Sequence, residues 1–551
     1  MKQTGLFHCE KIGFSFTLIQ NQLLDVNKMK QLLHNAKFYT MKSPGDYVEA
    51  VLIEDGKILQ LGKYEKLKNE TANQLDLKGS YVFPGFVDSH IHLIGHGDKL
   101  RYIDLSLFES SETMKEHLKN LFEQRNPQEW IVAEGWNENN FPDKKILHRT
   151  ELDEITTSPL VLKRICRHAM IVNSRALEIA GITKDTPDPS DGVIVRDEFG
   201  EPTGYLMDGA QALVLKQIPE VSVDQLRTSL EMAADDLLSL GFTGVHTEDM
   251  SYYGNYTKPL EAFKKTFGEH KKFRIHLLRH HLVFDEMIQN ATYSEPWIEP
   301  GAMKIFIDGA LGGRTALLTK PYADDKSTQG VNIHSQQELN ALVAKARSHG
   351  EAIAVHAIGD LGMEMIVEAI ELHPVPKGKR DRLIHANVLN ENLVSRIEKL
   401  DVVLDIQPSF VTSDFPWVKE RLGEERLTWA YAWRKLIDRG IVCSGGSDSP
   451  IEAVDPRLGM YAAVARRNPG ETHDGYLPEE KLTRFEAISL YTTGSAYAIG
   501  KELSRGKIDV NYNADFTIFD RDLFEGTEEQ LLEANVVKTI VAGEVMFSNK
   551  N

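Results

Sequence analysis

Phe83-Pro84-Gly85-Phe86-Val87-Asp88-Ser89-His90-Ile91-His92 is an apolar run that ends in two histidines one residue apart. On a β-strand, side chains two apart share a face, so both imidazoles point the same way. Two converging neutral imidazoles are a good start on a site for zinc, manganese or iron. A bare His-x-His fits core or surface histidines as well. The turn and the apolar run before it favour a strand end that carries ligands.

Downstream, strand-like and helix-like segments alternate. Leu226 to Leu240 has helical apolar spacing and is followed by a strand pattern at Gly241 to His246. The same succession recurs at Gln337 to His349 with Ala352 to His356, and at Asn392 to Leu400 with Val402 to Ile406. Alternation of this kind implies a parallel sheet, and over this length a closed (β/α)8 TIM-like barrel is the leading choice. Residues 100 to 225 break the rhythm with prolines that include Pro127, Pro142, Pro159, Pro187, Pro189 and Pro202, and read as an insertion.

Four more segments repeat the design of the first. Lys304 stands in the apolar run Gly301 to Asp308, where a buried, unpaired ammonium would be expensive. It is either paired to a carboxylate such as Asp308 or carboxylated by carbon dioxide into an anionic bridge between metals. Ala354-Val355-His356 and Leu383-Ile384-His385 are strands ending in histidine, and Val442 to Pro450 runs through glycines into Asp448. Each alone fits a capped or hydrogen-bonded loop residue. Together they place four histidines, one lysine and one aspartate at the C-terminal ends of separate strands, where such barrels keep their active sites. Imidazole and carboxylate without thiolate suit a hydrolytic metal with positions open to water.

With these pieces in place the chain resembles the amidohydrolase superfamily, and within it the YtcJ-like group related to N-substituted formamide deformylases. The resemblance spans about residues 30 to 545. It rests on Pro84 to His92, Gly135-Trp136-Asn137, His168 to Leu177, Lys304 to Arg314, His356 to Asp360 and Ser447-Asp448-Ser449-Pro450. It implies that His90, His92 and Asp448 hold one metal, that His356 and His385 hold another, and that carboxylated Lys304 bridges them. Two divalent ions are implied, zinc first among them. The implied reaction is hydrolysis of a non-peptide amide or N-formyl C–N bond by metal-activated hydroxide, with Asp448 as acid–base catalyst. An esterase or lactonase, a mononuclear deaminase and an inactive scaffold of this fold stay open as alternatives. Trp136 and His168 are similar to pocket-lining positions of the group, against the plainer readings of a core aromatic and a helix anchor, and Arg314, after a glycine turn, could meet an anionic substrate group or form a structural ion pair. His246, Glu248 and Asp249 end another strand and are further pocket candidates. Asn137, Ala310, Gly313 and Cys166-Arg167 depart from residues common in the group; none is a metal position, so they bear on substrate preference.

The two ends of the chain share short β patterns: Gln31 to Tyr39, Glu49 to Glu54 and Tyr81 to Phe83 at one, Gly506 to Ile508, Phe516 to Asp520 and Val537 to Gly543 at the other. Asp55-Gly56 reads as a hairpin turn. We expect a small β-sandwich domain from residues 29–83 and 500–551, a barrel over 84–499, and a leader or extension over 1–28. Met1-Lys2-Gln3 recurs as Met29-Lys30-Gln31, so Met29 as natural start and an N-terminal extension are both compatible.

The 551 residues exceed one small domain, and the net charge of −18 argues against nucleic acid and anionic membranes as partners. The expected partner is a small-molecule substrate, and self-association into a homo-oligomer stays open. Three cysteines, Cys9, Cys166 and Cys443, form no CxxC pair and fit free thiols in a reducing, cytoplasmic setting. No stretch near the start is long or apolar enough to span a membrane.

Overall fold

The computed structural model describes residues 30–122, 129–142, 144–164, 169–189 and 192–549. The segment 1–28 and His168 lie outside the described residues.

In chain order, β1 (Gln31–Tyr39), β2 (Tyr47–Glu54), β3 (Lys57–Gly62) and β4 (Gln74–Pro84) precede the first barrel strand, β5 (Phe86–Ile91). The insertion contributes β6 (Ile103–Asp104), β7 (Ile131–Trp136), β8 (Leu160–Arg164), β9 (Ala169–Val172), β10 (Gly192–Arg196) and β11 (Pro202–Asp208). Barrel strands follow as β12 (Phe242–Thr247), β13 (Arg274–His280), β14 (Ile298–Phe306), β15 (Ile353–Ala357), β16 (Asp381–His385), β17 (Val402–Ile406) and β18 (Cys443–Gly445). The chain ends in β19 (Phe516–Phe519), β20 (Val536–Val541) and β21 (Glu544–Ser548).

The eight barrel strands form one parallel sheet ordered β18-β17-β16-β15-β14-β13-β12-β5. Their interiors are buried on both faces, as in Val402 to Ile406, where even Asp405 is covered. The helices between them start where their caps dictate. Ser222 and Ser335 each close a capping box, with Gln225 and Glu338, and set the starts of helices Val223–Ser239 and Gln336–Ser348. No ladder joins β18 to β5. Closure is made beyond β18, where Asp448 N–H donates to His90 O at 2.8 Å and His92 N–H to Ser449 O at 2.9 Å. Gly446 permits this approach, since a Cβ there would stand 2.5 Å from His90 N. The closure therefore brings Asp448 beside the two histidines of the first strand.

Strands from both chain ends belong to one seven-stranded sheet, ordered β21-β20-β19-β4-β1-β2-β3. The expected sandwich is realised as a single sheet curled on itself: Ile53, Phe516 and Ile540 share one apolar cluster, and Gly56 in the β2–β3 turn packs on Ala542 in the β20–β21 turn. Gly506 to Ile508 forms bends rather than the expected strand, because Gly506 takes φ +81°; Ile508 still donates one bond to Thr40 O and is buried. The insertion carries its own six-stranded sheet and cluster.

A buried ion pair ties the terminal sheet to the barrel. Arg274 at the start of β13 donates to Asp515, just before β19, at 2.6 and 2.9 Å, and Asp515 also accepts from Ala542 N–H. Burial pushes the Asp515 carboxyl up, but Arg274 and these bonds hold it below its ordinary value. A depressed carboxylate contributes stability that is present above its unfolded pKa and lost as pH falls through the folded one. Removing one member of a buried pair costs about 3–5 kcal/mol. Asp515→Ala should lower urea-unfolding stability at neutral pH by that amount, with a smaller deficit in acid; a loss below ~1 kcal/mol would deny the pair this role.

Candidate active site

Each expected donor sits where a barrel strand gives way to its loop. His90 lies in β5, Lys304 in β14, His356 in β15 and His385 ends β16, while His92 precedes helix Leu93–Arg101 and Asp448 follows β18. Lys304 is in register with His280 on one side and Ala354 on the other. His385 (φ 77°) and Asp448 (φ 57°) hold left-handed backbone, which costs about 1–3 kcal/mol where the surroundings enforce it.

His90 Nε2 and His92 Nε2 are each 3.4 Å from Asp448 Oδ1. Ligands on one tetrahedral zinc, with bonds of about 2.0–2.1 Å, stand ~3.4 Å apart, so both imidazole–carboxylate separations match a shared coordination shell. Donor atoms of His90, His385 and Asp448 lie within 4.8 Å of one another. Lys304 Nζ is 3.5 Å from His90 Nε2, and the His356 and His385 rings are 4.4 Å apart. The structure thus gathers all six residues in one cluster.

Neighbouring groups settle which ring nitrogens are available. His92 Nδ1 meets Glu248 O at 2.8 Å, His385 Nδ1 meets Gln407 Oε1 at 2.7 Å, and His356 Nε2 meets Gly309 O at 3.1 Å. Oxygen acceptors on one nitrogen leave the other facing the cluster, the arrangement usual for metal-bound histidine. The residues therefore fit divalent ions.

The electrostatics keep the His90 and His385 rings neutral, whereas His92 carries a proton that a bound ion would displace. Burial, then Lys304, holds His90 neutral, well below its ordinary value. Burial brings His385 down to about 4 although Asp448 opposes the shift. Burial alone would lower His92, but Asp448 and Glu248 outweigh it and hold it up to about 9. Burial pulls Lys304 down to about 8 against Glu248 and Asp448. Burial would raise Asp448, yet His92, His385 and Lys304 keep it below the ordinary carboxylate value. The His92 and His356 side chains are 20% and 14% exposed, against 1% for His90, so the cluster opens to solvent on their side.

The ion pair of Lys304 with Asp308, open from sequence, does not form. Asp308 instead accepts from the N–H groups of Leu317, Ile358 and Gly359. Trp136 is fully buried in the insertion core and donates to Leu162 O, so the indole is a packing residue rather than a pocket wall. Arg314 is held by Asp324, which Arg421 also grips, so its guanidinium serves an ion pair instead of a substrate anion. Asp249 caps helix Leu93–Arg101 through Leu93 and Ile94 N–H, and His246 packs on His276 away from the donors.

Three contributors were not singled out in the sequence. Asp88 accepts from His90 and Ser447 N–H and so couples the first and eighth strands. Gln407 orients His385, and the only hint was a polar residue directly after β17. Phe410 lies parallel to His385 at 5.8 Å.

Comparison with known proteins follows the same lines. The profile described as "Amidohydrolase family" matches residues 74–547. The chain is 48% identical to "Putative amidohydrolase YtcJ" of Bacillus subtilis (strain 168), covering 94% of this chain and 99% of that protein. It is 27% identical to the "N-substituted formamide deformylase" of Arthrobacter pascens over 94% of this chain and 98% of that one. A solved structure, an uncharacterized metal-dependent hydrolase from Pyrococcus horikoshii OT3, superposes with TM-score 0.75 at 30% identity, covering 91% and 99% of the two chains.

Proposed function

The chain belongs to the amidohydrolase family, hydrolases of carbon–nitrogen bonds, and from that premise we propose that it cleaves a non-peptide amide or N-formyl bond of a small molecule with two divalent metal ions. The observation that carries the reading is the cluster itself: three imidazoles with one nitrogen each committed to an oxygen, a fourth held neutral, a charged Asp448 at coordination spacing, and a lysine with no ion pair among the described residues. Similarity to a protein named N-substituted formamide deformylase supports the N-formyl class.

In this reading His90, His92 and Asp448 would hold one ion, His356 and His385 the other, and a carboxylated Lys304 would serve both. When bound, the ions supply Lewis acidity and lower the pKa of water toward neutrality. The chain's own groups do the rest. Glu248 O, Gln407 and Gly309 O fix the imidazole rings. Asp448, ionised at neutral pH, accepts the proton of the attacking water and returns it to the leaving nitrogen, the two halves of acid–base catalysis. No helix among the described residues is long and apolar enough to cross a membrane. With Cys443 free and buried, we assign the protein to a reducing, cytoplasmic compartment.

The test is metal analysis of purified protein combined with turnover of N-formyl and N-acyl amines, esters and lactones. Two ions per chain and amide turnover abolished by chelation are expected. One ion per chain with deamination, or ester turnover without amide turnover, would overturn the reading.

A further inference from the structure

Behind the metal cluster lies a chain of polar groups that the reaction as described does not use. His96, one turn into helix Leu93–Arg101, is 5% exposed. Its Nδ1 is 2.9 Å from Ser449 Oγ and its Nε2 is 2.9 Å from Asp236 Oδ2, on helix Val223–Ser239. The carboxylate can only accept from Nε2–H, so in the neutral ring Nδ1 is the acceptor and the Ser449 hydroxyl donates to it. The two helices are pressed together here: a Cβ on Gly97 would stand 2.0 Å from Ser229 O. His96 therefore rides on a rigid support.

Ser449 is the residue after Asp448, and every polar group it has is engaged. Its N–H donates to Ser447 Oγ at 3.0 Å, its carbonyl accepts from His92 N–H at 2.9 Å, and its hydroxyl goes to His96. His96 N–H in turn donates to His92 O at 2.8 Å. The left-handed backbone of Asp448 is thus enforced from the helix that follows His92. We propose that His96, held in one tautomer by Asp236, is a positioning residue that clamps Ser449 and so aims the Asp448 carboxylate at the reacting centre. The proposal rests on the reading of Asp448 as the acid–base group.

The alternative is that His96 merely fills space between two helices. A hydrogen-bonded clamp and a filler differ in three readouts. In metal-free full-length protein, hydrogen exchange of the 446–452 peptide should speed up about tenfold in His96→Phe and in Ser449→Ala, the factor of one lost hydrogen bond, with other barrel loops unchanged. In the metal-loaded enzyme both variants should lose about 10–100-fold in kcat with little change in KM or metal content, because a donor displaced by a fraction of an ångström still binds but misplaces the proton. The double variant should lose no more than the worse single one, since both break one bond. Asp236→Asn keeps an acceptor for Nε2–H and should retain most activity, whereas Asp236→Leu should not. Unchanged exchange in both single variants, or additive losses, would overturn the clamp; His96→Gln serves if the phenylalanine variant does not fold. Exchange needs no turnover. A wild type without metal-dependent amide hydrolysis would fail the functional reading while faster exchange still established the clamp.

Discussion

Asp448→Asn should lose about 10²–10⁴-fold in kcat, the range of a positioned acid–base group, while keeping most of its metal. The amide still offers an oxygen toward His90 and His92, whose Nε2 atoms lie 3.4 Å from Oδ1 in the wild type. What it cannot do is take a proton from water and return it to nitrogen. The native carboxylate is suited to that task because its neighbours hold its pKa below the ordinary value despite burial, so it is ionised when water attacks. At neutral pH His92, through its hydrogen bond and its charge, and Lys304 do this, and loss of the negative partner should in turn release His92 from its raised value. Steady-state kinetics and metal analysis on the same preparation separate the two roles. Parallel loss of metal and rate would make Asp448 chiefly a ligand; full rate with full metal would remove it from the reaction.

The parts legible in the sequence are those whose cause is local. Val402 to Ile406 reads as a strand because a short run rich in β-branched residues follows the helical Asn392 to Leu400, and β17 has those bounds. The six donors stood out because each interrupts or ends an apolar run with a group that is costly there. Helix starts shifted by a few residues because Ser222 and Ser335 act through capping boxes, a matter of backbone geometry more than apolar spacing. What stayed hidden depends on residues far apart in the chain. Asp88 and Ser447 are 359 positions apart, and His96 and Ser449 are 353 apart, yet the first strand and the helix after it meet the loop that follows the eighth strand through these pairs. Trp136 shows the same dependence: the choice between pocket wall and core aromatic turns on the sheet that covers the indole.

Lys304→Ala should cost at least about 10³-fold in turnover, or ~4 kcal/mol of transition-state stabilisation, and should also lose metal. The argument begins with the amine. Lys304 is fully buried, its Nζ lies over the Phe306 ring at 4.4 Å, and its near polar contact is the His90 nitrogen at 3.5 Å. Burial brings it down to about 8, so an appreciable fraction is the free, nucleophilic base near neutral pH. Two cations introduced beside an ammonium would be repelled by it. Loss of one proton frees the amine, and its attack on carbon dioxide with loss of a second would replace that positive charge by a carbamate whose oxygens could serve the ions. Metal and modification should then depend on each other. Native mass spectrometry should find one carbon dioxide per chain in the two-metal protein and none after chelation. The Ala variant deletes an unpaired buried amine, so the apo protein should keep its fold by circular dichroism, and a short carboxylic acid in the buffer should restore part of the metal and part of the rate. An unmodified Lys304 amine in fully metal-loaded enzyme would refute the bridge. So would a Lys304→Ala protein that binds the same metal as wild type and turns over at the same rate.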